Sequence, residues 1–224
     1  MKTKKTDKKV EPGIYKHHKG KYFRALTTVK PNVYHDYEFG VENVEKPSDD
    51  QMINVVYQGL HEDCEVWTCP LAIWRLAVEG TQNFKPLSPG QINASIDKVG
   101  LILIKDKKIL MARSKDSDVF YIPGGKREAK ETDMQCLERE IRKELAVQLD
   151  TRTAQLFGNY YAQAYNKPEG TLIKMNCYMA NVIGTIKANK EIGQISWLSY
   201  KDRNKVGCVA KLIFDDLYWK GLIV

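Results

Sequence analysis

The stretch that decides the fold is residues 125–147, which read GKREAKETDMQCLEREIRKELAV. Apolar side chains recur in it every four positions, which places them on one face of an amphipathic helix; they are Leu137, Ile141 and Leu145. Thr132 suits the N-cap of a helix over residues 132–146. Glu140 and Glu144 are four residues apart, so both carboxylates project from one side of that helix. Their mutual repulsion favours a cation bound between them.

Two glycines precede this helix. Residues 119–125 read VFYIPGG, which predicts a strand over residues 119–122, stopped by Pro123. Gly124 and Gly125 allow positive φ angles and let the backbone approach a ligand closely. Farther upstream, residues 99–104 and 109–113 form an expected hairpin. The sequence therefore predicts a strand, a glycine loop and an acidic helix in succession.

Together these residues resemble the box of the Nudix hydrolase superfamily, which includes MutT-like proteins. Its pattern is G-x5-E-x7-R-E-U-x-E-E-x-G-U, where U is bulky and apolar, and seven of the nine defined positions match. The departures are Lys143 for a glutamate and Ala146 for a glycine. Since alanine is the better helix former, the second departure is expected to be harmless. The resemblance implies an α+β fold with a Nudix-type α/β/α sandwich and a mixed sheet.

The same resemblance implies hydrolysis of a pyrophosphate bond in a nucleotide-type small molecule, either a nucleoside triphosphate or a nucleoside diphosphate linked to another moiety. Mg²⁺, or alternatively Mn²⁺, would be the cofactor, and hard oxygen ligands suit it. The implied metal ligands are the Gly124 carbonyl, Glu140 and Glu144. Glu140 is also the implied general base, Arg139 would orient the carboxylates, and Glu131 would brace the loop.

Lys143 stands where the family usually has a metal ligand, and it changes the local charge by two units. The side chain has three options, which are to extend into solvent, to contact a substrate phosphate or to pair with Glu140. Glu191 precedes residues 192–198, IGQISWL, which resemble a strand entry common in the family. It is therefore the candidate for the missing metal ligand. Two functions stay open, an active hydrolase or a catalytically degenerate domain that binds a nucleotide or a protein partner.

Candidate substrate-binding residues are Arg113, Tyr121, Gly125 and Lys126. Arg113 ends the second strand of the expected hairpin, where it faces either the cleft or solvent. Alternation along a strand places one of Phe120 and Tyr121 near the cleft. Pocket shape, which the box does not encode, decides among nucleotide substrates. Nudix domains commonly form homodimers, and the sequence leaves the oligomeric state open.

The chain divides by composition into four segments. Residues 1–10 are predicted to be a disordered basic tail, residues 11–84 a small all-β, barrel-like domain, residues 85–95 a linker and residues 96–224 the Nudix domain. In the second segment, residues 13–20, 55–57 and 66–71 read GIYKHHKG, VVY and VWTCPL. They are similar to a small bacterial domain of unknown function, which implies a compact β domain but no chemistry.

The net charge of +7 is concentrated at one end of the chain. Residues 1–21 contain eight lysines and two acidic residues, which accounts for +6 of it. This predicts a solvated tail; a second hypothesis is that the tail, with aromatic residues such as Tyr15, Phe23 and Tyr57, binds single-stranded nucleic acid. No apolar run approaches the roughly 18 residues of a membrane helix, and the N-terminus lacks the apolar core of a secretory signal. We therefore expect a cytoplasmic protein with no membrane partner.

Overall fold

The chain forms two compact units, residues 1–92 and residues 93–224. The computed structural model describes residues 10–17, 21–29, 54–60, 64–70, 74, 77–78, 81–82, 84–88, 91–92, 94–168 and 171–224. Residues 1–9 of the predicted basic tail lie outside these ranges. In the part of the chain that is described, no helix is long and apolar enough to span a membrane.

The first unit is an antiparallel β-sheet. Its strands are β1 (Gly13–His17), β2 (Tyr22–Val29), β3 (Asn54–Gly59), β4 (Val66–Pro70) and β7 (Phe84–Leu87), hydrogen-bonded in the order β4-β3-β2-β1-β7. A separate two-stranded sheet pairs β5 (Ala77–Val78) with β6 (Thr81–Gln82). The prediction of an all-β N-terminal region is confirmed for the described residues.

Aromatic side chains form the core of this unit. Trp74 stacks on Phe84 with ring centroids 3.8 Å apart, and the rings of Tyr15, Phe23 and Tyr57 pack around this pair. Tyr15 and Phe23 are buried. The rings of Tyr15, Phe23 and Tyr57 are therefore part of the core, which edge and face contacts between aromatic rings stabilise. They do not form an exposed platform for nucleic-acid bases.

Two predicted boundaries of this unit need correction. Val10, assigned to the disordered tail over residues 1–10, is buried in the same aromatic core. The segment predicted as a linker, residues 85–95, begins inside β7, which pairs with β1 along residues 84–87. Its other end also falls inside a strand, because β8 begins at Ala94. The linker was predicted from its proline and glycine content. That signal is misleading here because an edge strand tolerates proline, as β7 does at Pro86.

The second unit combines a mixed sheet with helices, so the predicted α+β fold is confirmed. Its elements are β8 (Ala94–Ile102), β9 (Ile104–Lys105), β10 (Lys108–Ser114), β11 (Gly124–Lys126), helix α1 (Asp133–Leu145), β12 (Gln148–Gln163), β13 (Leu172–Ile183), β14 (Ile192–Leu198), a 3-10 helix (Tyr200–Lys205) and helix α2 (Cys208–Trp219). A four-stranded sheet has the order β11-β8-β13-β12, parallel between β8 and β13. A three-stranded sheet has the order β14-β10-β9.

Helix α1 packs on β8, β11 and β12, and α2 packs on β12. The predicted apolar stripe of α1 is fully buried against residues of β8 and β10 such as Val99 and Leu110. Thr132 caps the helix: its side-chain hydroxyl accepts a hydrogen bond from the Gln135 N–H, and Gln135 Oε1 accepts one from the Thr132 N–H. This capping box fixes where α1 begins and therefore which way its acidic face points.

Two predicted strands differ from the observed ones. Residues 119–122 form no strand, because Phe120 pairs with Val206 while Tyr121 pairs with Ala112, so each partner binds a single residue. The expected hairpin of residues 99–104 and 109–113 is reduced to the short β9–β10 pair. Strand β8 instead pairs with β11 and β13, and this places the glycine loop beside α1.

Candidate active site

The glycine loop lies directly over the acidic face of α1. The Gly124 N–H donates a hydrogen bond to Glu144 Oε2 at 2.9 Å. A Cβ added to Gly125 would lie 2.4 Å from Glu140 Cδ, and one added to Gly124 would lie 2.1 Å from the Val99 carbonyl oxygen. Gly124 also has a φ of +141°, which L-residues rarely adopt. Glycine is therefore required at both positions for the carboxylates to approach the backbone.

Arg139 holds one carboxylate in place. Its guanidinium forms a bidentate ion pair with Glu131, at 2.6 and 2.8 Å, and a further ion pair with Glu140 Oε1. Arg139 Nη2 also donates to the Lys126 carbonyl at 3.0 Å, and Glu131 accepts from the Glu128 N–H at 2.9 Å. These bonds from Arg139 and Glu128 lower the pKa of Glu131 to about 2. Loop, arginine and Glu140 thus form one connected network, as the resemblance implies for Arg139 and Glu131.

Lys143 reaches between two carboxylates. Its Nζ lies 2.6 Å from Glu191 Oε1 and 3.5 Å from Glu140 Oε2. The pairing with Glu191, reinforced by the Glu140 charge, raises the pKa of Lys143, and Lys143 in turn lowers the pKa of Glu191. Of the three options left open by the sequence, the structure therefore shows pairing with Glu140. Glu191, the candidate extra ligand, is bound to the lysine at the end of α1 nearest β14.

Glu144 has a different environment from Glu140. Its side chain is only 4% exposed, and it forms no ion pair with any described residue. Burial raises the pKa of Glu144 to about 7, and the neighbouring Glu140 and Glu191 charges add to the effect against the hydrogen bond from Gly124. A buried carboxylate without a partner cation is costly to ionise, so a bound cation would stabilise it.

The donors that converge here suit one divalent cation. Glu140, Glu144 and the backbone at Gly124 supply hard oxygen atoms, and Mg²⁺ is commonly held by one or two carboxylates together with substrate phosphates and water. Over the described ranges, no group of three or more His, Cys, Asp or Glu side chains is placed to hold a metal ion. The resemblance predicts a further glutamate at position 143, where this chain has Lys143.

A cavity of about 220 Å³ is lined by residues of β8, β12, β13 and the start of α2. Its walls include Lys98, Phe120, Tyr121, Lys126, Tyr165 and Lys167. Tyr121 shares a hydrogen bond of 2.7 Å with Ser114 Oγ, and burial raises the pKa of Tyr121 to about 12. Burial lowers the pKa of Lys98 in this cavity, and the charges of Glu144 and Glu140 oppose the shift.

Of the four substrate-binding candidates, Tyr121 and Lys126 line this cavity, whereas Arg113 and Gly125 do not. Arg113 Nη2 donates to Gln194 Oε1 at 2.6 Å, and the guanidinium lies 5.2 Å from the centre of the Phe120 ring. Arg113 thus connects β10 to β14 and supports a cavity wall through Phe120. The other three substrate-binding candidates, Tyr121, Gly125 and Lys126, lie at the cavity or beside Glu140.

Sequence reasoning missed a second ion-pair network, at the start of α1. Arg127 pairs with Asp97 on β8, at 3.1 Å, and with Asp133 in the first turn of the helix. Asp133 also accepts hydrogen bonds from Asn176 Nδ2 at 2.9 Å and Tyr178 Oη at 2.7 Å. Although burial opposes it, these bonds lower the pKa of Asp133. Five residues separate Arg127 from the start of α1, and no sequence pattern predicts that this segment contacts both β8 and β13.

Ala146 corrects one expectation. It is the C-cap of α1 with φ 55° and ψ 31°, the left-handed conformation in which glycine is favoured. The helix propensity of alanine is therefore irrelevant at this position, and a non-glycine residue there costs about 1–2 kcal/mol. The segment between β13 and β14 satisfies carbonyl groups at the end of the helix. The Lys187 N–H donates to the Leu145 carbonyl at 3.0 Å, and Asn189 Nδ2 donates to the Lys143 carbonyl at 3.0 Å.

The second unit is similar to known proteins. The NUDIX domain family model matches residues 95–210. Similar solved structures include the Escherichia coli ORF135 protein, with 23% identity, a TM-score of 0.47 and coverage of 59% of this chain and 94% of that one. Another is a NUDIX hydrolase from Nitrosomonas europaea, with 17% identity, a TM-score of 0.47 and coverage of 57% and 90%. A third is the MutT protein from Methanosarcina mazei Go1, with 17% identity and a TM-score of 0.46. The match covers 56% of this chain and 94% of that one.

No curated protein matches the chain. The family match nevertheless spans more than half of the 224 residues and includes the glycine loop, α1 and the cavity. The chain therefore belongs to the Nudix hydrolase family.

Proposed function

We propose that the second unit hydrolyses a pyrophosphate bond in a nucleoside triphosphate, or in a nucleoside diphosphate linked to another moiety, with the aid of Mg²⁺ or Mn²⁺. The observation that carries the proposal is the environment of Glu144, a buried carboxylate that accepts a hydrogen bond from the Gly124 N–H and forms no ion pair with a residue of the described ranges. Glu140, Glu144 and the Gly124 carbonyl would hold the metal. The metal would neutralise the phosphates, orient water and stabilise the leaving group.

The network around Glu140 gives its two oxygens different tasks. Arg139 binds Oε1, which fixes the plane of the carboxylate. The other oxygen, Oε2, contacts Lys143 at the longer distance of 3.5 Å. It is the oxygen available to accept the proton of an attacking water, as a general base. The ammonium of Lys143 stabilises the negative charge on Glu140 before the proton is transferred.

The substrate would meet the protein at the glycine loop and the cavity. Gly125 lets the backbone lie close to a phosphate, and the Lys126 ammonium is placed to neutralise phosphate charge. Tyr121 would offer its ring to the nucleoside, and Arg113 would act indirectly, through Phe120. Glu191 becomes a further metal ligand only if a substrate phosphate draws Lys143 away from it.

The ion pairs of Lys143 favour a second candidate function, nucleotide binding without hydrolysis. In this alternative, Lys143 permanently neutralises Glu140 and Glu191, at 3.5 and 2.6 Å, and takes the place of a metal ion. The domain would then bind a nucleotide through the cavity and the glycine loop. The two functions make opposite predictions for turnover with added metal.

The test is a turnover assay on the full chain with a nucleotide panel and added Mg²⁺ or Mn²⁺. Hydrolysis in ¹⁸O-labelled water, followed by mass spectrometry, identifies the phosphate that is attacked. We expect metal-dependent turnover that falls at least about 100-fold in Glu144→Gln, because a direct metal ligand is lost. Glu138→Gln is the matched control, since Glu138 lies on the same helix without an ion pair to any described residue. Absence of turnover with nucleotide binding retained would refute hydrolysis and support the binding module.

A further inference from the structure

A groove of about 650 Å³ is formed by α1, the loop that precedes it and the segment between β13 and β14. Every side chain that the structure describes along this groove is charged, except Asn189, which carries an amide. The described walls therefore lack the apolar and aromatic surface that usually holds a nucleoside. Walls of this kind favour a charged, strongly hydrated ligand.

Cations predominate along the groove, and two of them have no acidic partner among the described residues. Both glutamates that line the groove pair with Arg139. Lys143 is held by Glu191, at 2.6 Å. Arg142 and Lys190 are exposed, and neither forms an ion pair with a residue of the described ranges. Arg142 and Lys190 are therefore the groove cations that remain able to bind an anion.

Lys190 is held at the groove by a backbone conformation that lysine rarely adopts. Its φ is 51°, in the left-handed region. Contacts of the preceding residue fix this part of the chain, because the Asn189 N–H donates to the Glu144 carbonyl at 3.1 Å and Asn189 Nδ2 donates to the Lys143 carbonyl at 3.0 Å. Backbone strain that is held in this way clusters at ligand-binding sites. The last turn of α1 and Lys190 therefore keep a fixed distance from each other.

Glu140 connects this groove with the candidate metal site, since its carboxylate lines the groove and lies beside Gly125. A ligand in the groove would therefore be continuous with the phosphate that is attacked at Glu140. Arginine and lysine are the usual protein partners of phosphate groups. We propose that Arg142, Lys143 and Lys190 bind the end of a phosphate chain that extends beyond the bond that is cut.

This inference rests on the proposed function and narrows its substrate class. The favoured substrate carries a further phosphate on the far side of the scissile bond, as a nucleoside triphosphate does. A nucleoside diphosphate linked to an uncharged sugar would leave the groove cations without an anionic ligand. Lys143, which stands where the family usually has a glutamate, thus has a task in substrate recognition.

Binding is tested without turnover, by titrating inorganic pyrophosphate into the full chain in EDTA and measuring the heat by calorimetry. Arg142→Gln and Lys190→Asn should each weaken binding about 5- to 20-fold, because each removes one charge-assisted contact. Asparagine tolerates the left-handed conformation of residue 190, so this variant keeps the backbone. Lys187→Gln is the matched control, since it removes an exposed lysine of the same segment that does not line the groove. Affinity that all three variants lower equally, or that none of them lowers, would overturn the proposal.

Steady-state kinetics separates this proposal from the proposed function. In Arg142→Gln and Lys190→Asn, we expect KM for a nucleoside triphosphate to rise about 5- to 20-fold with kcat little changed, because the contact exists before and during the reaction. Both constants for a nucleoside diphosphate sugar should stay the same. Turnover of either substrate with constants that neither variant changes would preserve the proposed function and reject the groove. Pyrophosphate binding that both variants weaken, in a protein without turnover, would support the groove and refute hydrolysis.

Discussion

Lys143→Glu restores the acidic residue that this position usually carries in the family, and its effect can be worked from two distances. Lys143 Nζ lies 2.6 Å from Glu191 and 3.5 Å from Glu140. One unit-charge pair at about 4 Å is worth about 1 kcal/mol in water and about 4 kcal/mol at an effective dielectric of 20. The Lys143 and Glu191 side chains are 34% and 48% exposed, which places their pair near the lower figure. Because the Glu140 side chain is 8% exposed, the energy of its pair with Lys143 lies between the two figures.

The variant exchanges these attractions for repulsion. Without a divalent metal, we therefore expect Lys143→Glu to lower the free energy of unfolding by roughly 2–4 kcal/mol. The added carboxylate should raise affinity for Mg²⁺ or Mn²⁺ at least about 100-fold, because it adds a ligand and removes a competing charge. Metal at about 100 times its Kd would then restore about 2.7 kcal/mol. Thermal unfolding in EDTA and in Mg²⁺, with Mn²⁺ binding by electron paramagnetic resonance, measures both effects.

Arg142→Glu is the matched control for this experiment. It makes the same two-unit change in charge one residue earlier on α1, where the arginine is exposed and forms no ion pair with a described residue. We expect Arg142→Glu to change the free energy of unfolding and the metal affinity by less than half as much as Lys143→Glu. Equal metal affinity in Lys143→Glu and the unmodified protein would refute the view that Lys143 occupies a ligand position. Equal effects in both variants would show that net charge alone is responsible.

Three further substitutions test the surrounding geometry. Gly125→Ala should reduce turnover by about 100-fold with little change in helix content, because its Cβ would displace the Glu140 carboxylate, which lies 2.4 Å away; unchanged turnover would contradict this. Glu131→Gln should lower the unfolding temperature at pH 7 but not at pH 2. The pKa of Glu131 in the folded protein, about 2, is below its value in the unfolded chain. The stability that the pairing with Arg139 gives the fold is therefore present at neutral pH and is lost as the pH falls from about 4.5 to 2. A difference in unfolding temperature that does not depend on pH would contradict this. Ala146→Gly should raise the free energy of unfolding by roughly 0.5–1 kcal/mol in denaturant titrations, since the C-cap is left-handed; a loss of stability would contradict the assigned backbone strain.

Local sequence patterns predicted the parts of the site that lie within one element. The four-residue spacing of Glu140 and Glu144 placed both on the face of α1 that meets the glycine loop, and Thr132 marked the N-cap. The prediction of a strand over residues 119–122 was wrong, because the alternation of side chains does not reveal which backbone segments will pair with these residues. The observed partners, Ala112 and Val206, come from opposite directions along the chain.

Contacts between distant elements were the part that the sequence could not supply. Glu191 was predicted to be a metal ligand because it precedes a strand, β14. Its distance from Lys143, however, depends on the register between β14 and β10, which the sequence does not give. Lys190 escaped notice because one lysine in a polar loop resembles an ordinary surface residue. Its place beside α1 depends on the contacts of Asn189 with that helix, which only the fold reveals.

The Arg127–Asp133 network has a consequence for the thermodynamics of ligand binding. Asp133 ties the first turn of α1 to two residues of β13, and Arg127 ties the glycine loop to β8, through bonds between protein side chains. The site is thus preorganised, and a metal or nucleotide that enters it has little chain to order. Binding should therefore be accompanied by a small entropy loss from the backbone and by few newly protected amides in hydrogen exchange.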